Sequence, residues 1–128
     1  MNADFKYKEL THRILKCAFE VHNTLGCGFL EKVYENALVH ELEIQHIECK
    51  IQKSITVIYK NKEVGKYIAD IVVENKVILE VKTVDQISNI HRAQLINYLR
   101  ATGYEVGIII NFAKTKLEYQ RLVLSKNK

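Results

Sequence analysis

Between residues 51 and 84 the chain reads "IQKSITVIYKNKEVGKYIADIVVENKVILEVKTV". Runs of Ile, Val, Thr and Tyr suit a pleated surface, and the polar segments "KNKE" and "ENK" cut the tract into three pieces. Connections this short force neighbouring strands to run antiparallel, because a parallel partner needs a crossover of a dozen residues or more. Three antiparallel strands, at about 51–60, 63–73 and 77–84, are expected, and the remaining elements must pack around them.

Upstream, Leu10, Ile14, Ala18, Val21 and Leu25 recur at helical spacing and predict a helix over 7–25, broken by "LGCG". A second helix is expected from about Phe29 to Ile44, with a stripe of Leu30, Val33, Tyr34, Ala37 and Leu38. Downstream, residues 89–102 read as a helix capped by Ser88 and closed by Gly103. "YEVGIIINF" reads as a buried strand. In the tail, Leu117, Tyr119, Arg121 and Val123 alternate as in a last strand, with a helix as the alternative. The order ααβββαββ is that of an α+β sandwich, a mixed sheet flanked by helices.

At 128 residues, with neither proline nor a Gly/Ser linker, the chain is expected to form one domain over 1–128. No apolar run reaches the ~20 residues of a membrane span, and "MNADFKYKEL" lacks the apolar stretch of a leader, so a cytoplasmic protein is expected. Cys17, Cys27 and Cys49 form no CxxC pair, which argues against a disulfide scaffold or a zinc knuckle. Cys17 falls on the first helix stripe and reads as core. The net charge of +4 is compatible with a polyanionic partner without requiring one.

Inside the apolar strands stand Asp70, Glu80 and Lys82. If "ENK" is a three-residue turn, Val73 faces Val77, and counting back puts Asp70 across from Glu80. Cross-strand neighbours have Cβ atoms about 4.5–5.5 Å apart. Lys82 lies two residues from Glu80 and so shares its face. Two carboxylates that close repel unless a positive charge lies between them. Lys82 could supply it, and so could a hard divalent cation, which takes oxygen ligands and keeps waters. Such an ion lowers the pKa of a bound water and polarises a phosphoryl oxygen. The bland reading is a solvated charge ladder, since ExK occurs three times here, at Glu48/Lys50, Glu74/Lys76 and Glu80/Lys82. Context separates the third: it follows "VIL", and Asp70 is one of only three aspartates.

Gln94 and Tyr98 lie four apart on the helix over 89–102, within a stripe of Ile90, Gln94, Tyr98 and Ala101. They could orient a water or contact a phosphate, or simply form a solvated helix edge. Glu31 suits the first turn of its helix on dipole grounds alone, and equally suits a third acid beside a metal. His12, His22, His40, His46 and His91 show no ligand spacing and read as surface or helix-end residues.

"GFLEKVY" at 28–34, the Asp70/Glu80-Val81-Lys82 set and "QLINY" at 94–98 together resemble the GxxExxY protein family of the PD-(D/E)XK nuclease superfamily. The likeness runs from the first helix through "IIINF". It implies a restriction-endonuclease-like core of α-β-β-β-α-β order. It also implies Mg²⁺ or Mn²⁺ held by Asp70, Glu80 and the Val81 carbonyl, with Lys82 positioning the attacking water. Glu31 would be the helix-borne acid, and Gln94 and Tyr98 would arrange substrate or water. The expected activity is hydrolysis of phosphodiester bonds in nucleic acid, DNA ahead of RNA. The alternative is a module on the same fold that binds nucleic acid or a protein without cutting. Lys50, Lys53, Lys60, Lys62 and Lys66 near the strand turns could contact phosphates, although solvated turn charges explain them as simply. A core without insertions leaves room for a homodimer or a partner protein.

Overall fold

The computed structural model describes residues 6–125; the first five residues of the segment read for a leader lie outside them. In chain order the elements are α1 (Lys8–Leu25), α2 (Glu31–Ile44), β1 (Cys49–Tyr59), β2 (Lys62–Val73), β3 (Val77–Lys82), α3 (Asn89–Thr102), β4 (Val106–Asn111) and β5 (Glu118–Val123). The five strands form one sheet in the order β1-β2-β3-β4-β5. All neighbours are antiparallel except β3 and β4, which run parallel and are joined through α3. This is the α+β order expected, and the tail is a strand rather than a helix.

β3 and β4 occupy the centre, so both their faces are covered and they read as nearly continuous apolar runs. One face carries Ile71, Val73, Leu79, Val81, Ile108 and Ile110 against Ile14, Ala18, Tyr34 and Leu38 of α1 and α2. The other carries Ala69, Val72, Ile78 and Ile109 against Leu95 and Leu99 of α3. Gly107 eases the second contact: a Cβ there would lie 2.8 Å from Leu95 Cδ1, so a side chain at this position would push Leu95 away from β4.

Local signals explain the element ends. Gly26 closes α1 with φ 71°, its N–H donating to the His22 carbonyl, and Gly103 closes α3 in the left-handed region. Ser88 Oγ accepts the His91 N–H while His91 Nδ1 accepts the Ser88 N–H, so His91 is spent on a capping box. Lys60 and Asn61, both at positive φ, form a two-residue turn between Tyr59 and Lys62. "ENK" is the three-residue turn counted from the sequence, with Val73 paired to Val77.

Several expectations need correction. α2 starts at Glu31 and turns Tyr34, Leu38 and Leu42 inward, leaving Leu30 and Val33 exposed. α3 buries Leu95 and Leu99, while Ile90 and Ala101 of the expected stripe are exposed. β3 ends at Lys82 rather than 84, because the buried Asn111 side chain takes over pairing: its Oδ1 accepts the Val84 N–H and its Nδ2 donates to the Val84 carbonyl. His22 lies in the last turn of α1 but is buried, with Nε2 2.8 Å from the Lys114 carbonyl. Cys17 is buried, as its stripe position implied.

Candidate metal centre on the β2–β3 hairpin

The β2–β3 ladder runs Val73↔Val77, Val72↔Ile78, Ile71↔Leu79 and then opens. Asp70 and Glu80 stand where the next pair would be. Asp70 Oδ2 accepts the Val81 N–H at 2.9 Å, and Glu80 Oε2 accepts the hydroxyl of Tyr67. The β1–β2 ladder breaks at the same level. Lys53↔Ala69 and Ile51↔Ile71 flank an unpaired Gln52 and Asp70, and Gln52 has φ 50°. Ala69 and Ile71, two apart in sequence, consequently belong to opposite cores. Asp70 thus sits at a twist in β2, where its carboxylate bonds to the β3 backbone instead of entering either core.

Glu80 is buried at 7% exposure and Asp70 is half-buried. Burial pushes the Glu80 carboxyl up to about 7; the neighbouring Asp70 carboxylate adds to this, while the Tyr67 hydroxyl, Lys82 and the Asp70 backbone N–H pull it back. Burial also raises Asp70, the Val81 N–H opposes, and the charges of Glu35 and Glu31 raise it further. Tyr67 and Tyr98 are raised as well, burial first and then the nearby acids. Lys82 is half-buried and, among the described residues, its ammonium makes no ion pair or hydrogen bond. Negative charge has therefore been drawn out of water with one free ammonium nearby.

That donor set fits a divalent ion. Two desolvated carboxylates beside a strand backbone, with water completing the shell, match the one or two carboxylates magnesium-type sites use. No three His, Cys, Asp or Glu side chains converge as a ligand group among the described residues, so the pair stands without a third acidic ligand. Glu31 is exposed in the first turn of α2, and its charge reaches Asp70. On α3, Tyr98 stacks on Tyr67 with ring centroids 3.3 Å apart, which links it to Glu80 through the Tyr67 hydroxyl. Gln94, one turn earlier, is exposed. Two concave clefts, one lined by Arg13, Cys17 and Glu41 and the other by Glu43, His46 and Cys49, include none of these residues.

Three residues of this region escaped the sequence reading. Glu35 is buried, and accepts from Lys32 Nζ at 2.9 Å and Gln52 Nε2 at 2.8 Å. Gln52 is thereby tied from the kink in β1 to α2. Tyr67 bridges Glu80 and Tyr98. The available signals were an acid four residues after Glu31 on the same helix face and an aromatic three residues before Asp70. Nothing in the sequence marked Gln52, whose left-handed backbone is held by tertiary contacts.

The profile of the PD-(D/E)XK nuclease superfamily matches residues 8–122, nearly the whole chain. Among solved structures, the crystal structure of SSO0001 superposes with a TM-score of 0.59 at 17% identity, covering 92% of this chain. The chain spans about 60% of the length of that protein, and the likeness is one of fold. The comparison with curated proteins gives no match. With the profile extending from α1 to β5 and the mixed sheet described above, the chain belongs to the PD-(D/E)XK nuclease superfamily.

Proposed function

We propose that the chain is a divalent-metal-dependent nuclease of the GxxExxY branch, hydrolysing phosphodiester bonds in nucleic acid, DNA ahead of RNA. The observation that carries this reading is the break in both ladders at Asp70, which leaves two partly desolvated carboxylates and the unpaired Lys82 together on one hairpin. Superfamily membership supports it, since these nucleases generally use divalent ions.

In this reading Asp70, Glu80 and the Val81 carbonyl hold Mg²⁺ or Mn²⁺. When bound, the ion supplies Lewis-acid polarisation of the phosphoryl oxygens and a more acidic water. Lys82 orients the attacking water and offsets charge developing on the phosphate. The water oxygen would form the new bond to phosphorus and release one proton to solvent, the ester bond to the leaving oxygen would break, and that oxygen would take up a proton from solvent, giving a phosphate monoester and an alcohol. The Val81 N–H fixes the Asp70 carboxylate, and the Tyr67 hydroxyl, braced by Tyr98, fixes Glu80. Glu31 adds negative potential from the start of α2, and Gln94 is within reach of a substrate lying along α3.

Labelled single- and double-stranded DNA and RNA, incubated with Mg²⁺ or Mn²⁺, test the proposal. At least one substrate should be cut by the wild type and by neither Asp70→Ala nor Lys82→Ala. Cleavage that persists in both variants would refute the assignment.

A further inference from the structure

β3 pairs only with residues 71–73 of β2, yet β1 and β2 stay paired out to Tyr59 and Lys62. The outer hairpin is therefore an arm reaching beyond the sheet. Its inner part is anchored: Ile55 and Tyr67 pack with Leu95 and Leu99 of α3, and Lys53 Nζ donates to the Tyr104 hydroxyl at 3.0 Å. Its tip is not, for Ile58, Tyr59 and Val64 are each more than half exposed. From Lys53 to Ala69, the pairs beyond the reach of β3, the arm carries four lysines against one glutamate, a net +3 out of the chain's formal +4. The rest of the protein carries a net +1, so most of the basic character is local.

We infer that this arm grips the sugar–phosphate backbone of a nucleic acid through Lys60, Lys62 and Lys66, with Tyr59 beside them, a few nucleotides from the bond that is cut. The inference rests on the nuclease reading for the identity of the polymer. Charge complementarity carries it. All three lysines are exposed, none is in an ion pair among the described residues, and Lys60 Nζ lies 5.4 Å from the Tyr59 ring centre. Lys66 and Lys62 lie four and eight residues before Asp70 on the same strand. At about 3.3 Å per residue they stand roughly 13 and 26 Å from it. A nucleic-acid strand advances about 3.4 Å per nucleotide, so the arm spans a tract of about four to eight nucleotides. Tyr59 offers a ring on which an unpaired base can stack. The competing role for lysines on an exposed hairpin is protection of the edge strand against pairing with other chains.

The test is anisotropy of fluorescent single-stranded and duplex oligonucleotides in EDTA, at several salt concentrations. It compares the wild type with the triple variant Lys60→Asn, Lys62→Gln, Lys66→Gln. Asn tolerates the positive φ at position 60, so the turn is kept. The variant should bind at least about tenfold more weakly near 0.1 M salt, and its log K against log salt slope should be shallower by about 2 to 3. Replacing the same three lysines by arginine should retain binding. Unchanged affinity and slope in the neutral variant would overturn the inference, as would aggregation with binding intact, which would assign the lysines to edge protection. Because EDTA removes catalysis, the two readings fail separately. Arm-dependent binding by a protein that never cuts would uphold the arm and reject the nuclease. Cleavage with arm-independent binding would do the reverse.

Discussion

Glu80→Gln is the substitution whose sign best distinguishes a metal-binding carboxylate from a structural one. In the metal-free protein Glu80 is buried, and its carboxyl is raised from 4.5 to about 7. Below pH about 4.5 it is neutral in both folded and unfolded chains and contributes no pH dependence. As pH rises towards 7 the unfolded chain ionises while the folded site resists, so the wild type loses stability and the loss is complete above about 7. A shift of about 2.5 pKa units corresponds to about 3 kcal/mol. Glutamine has the same shape, keeps an oxygen for the Tyr67 hydroxyl and carries no charge to desolvate. Glu80→Gln should therefore stabilise the metal-free protein at pH 8 by roughly 2–3 kcal/mol, which for a domain of this size raises Tm by roughly 8–12 °C. At pH 4 the two proteins should melt together. Added Mn²⁺ should raise the wild-type Tm and leave the variant unmoved. Calorimetric melts in EDTA and in Mn²⁺, from pH 4 to 8, read all of this. A variant less stable than the wild type at pH 8 would mean that the ionised carboxylate is a structural asset, and the argument from desolvation would fail.

Gln52→Ala should cost about 1–3 kcal/mol in urea melts, because it strips buried Glu35 of its partner on β1. Gln52→Gly should cost about 1 kcal/mol less, since glycine relieves the φ of 50°, and equal losses would show that the kink is unstrained. Gly107→Ala should cost about 1–3 kcal/mol, because the new methyl meets Leu95 at 2.8 Å; thermal melts check it. Tyr98→Phe should keep the stack on Tyr67 and the Tm, whereas Tyr98→Ala should lower the Tm by several degrees. A fall in cleavage by Tyr98→Phe at unchanged Tm would assign its hydroxyl to the substrate.

What the sequence revealed followed from local rules. Turn chemistry and strand period located the meander, and counting through "ENK" gave the register found from Val73↔Val77 to Ile71↔Leu79, whereas Asp70 and Glu80, expected directly opposite each other, lie just beyond the last pair. The apolar insides of β3 and β4 announced two covered faces. Helix orientation was less legible. On α3, Leu95 and Leu99 lie beside the stripe of Ile90, Gln94 and Tyr98, and their packing with Ile55, Ile78 and Ile109, with Leu95 close over Gly107, turns that side inward. The apolar Leu30 and Val33 drew the expected face of α2 towards its exposed start, although Leu42 continues the true stripe. The kink at Gln52 was invisible because no local preference favours glutamine at positive φ. Its position is fixed by Glu35, seventeen residues away in sequence. That kink turns a regular hairpin into one whose aspartate leaves the ladder and bonds to the next strand's backbone.

Crystals of the protein grown with Mn²⁺ and measured at a wavelength where manganese scatters anomalously would test the central claim most directly. The account requires an anomalous peak in contact with the carboxylates of Asp70 and Glu80 and the Val81 carbonyl, absent from Glu80→Gln crystals treated alike. Manganese bound only elsewhere, or an empty hairpin at saturating Mn²⁺, would contradict it.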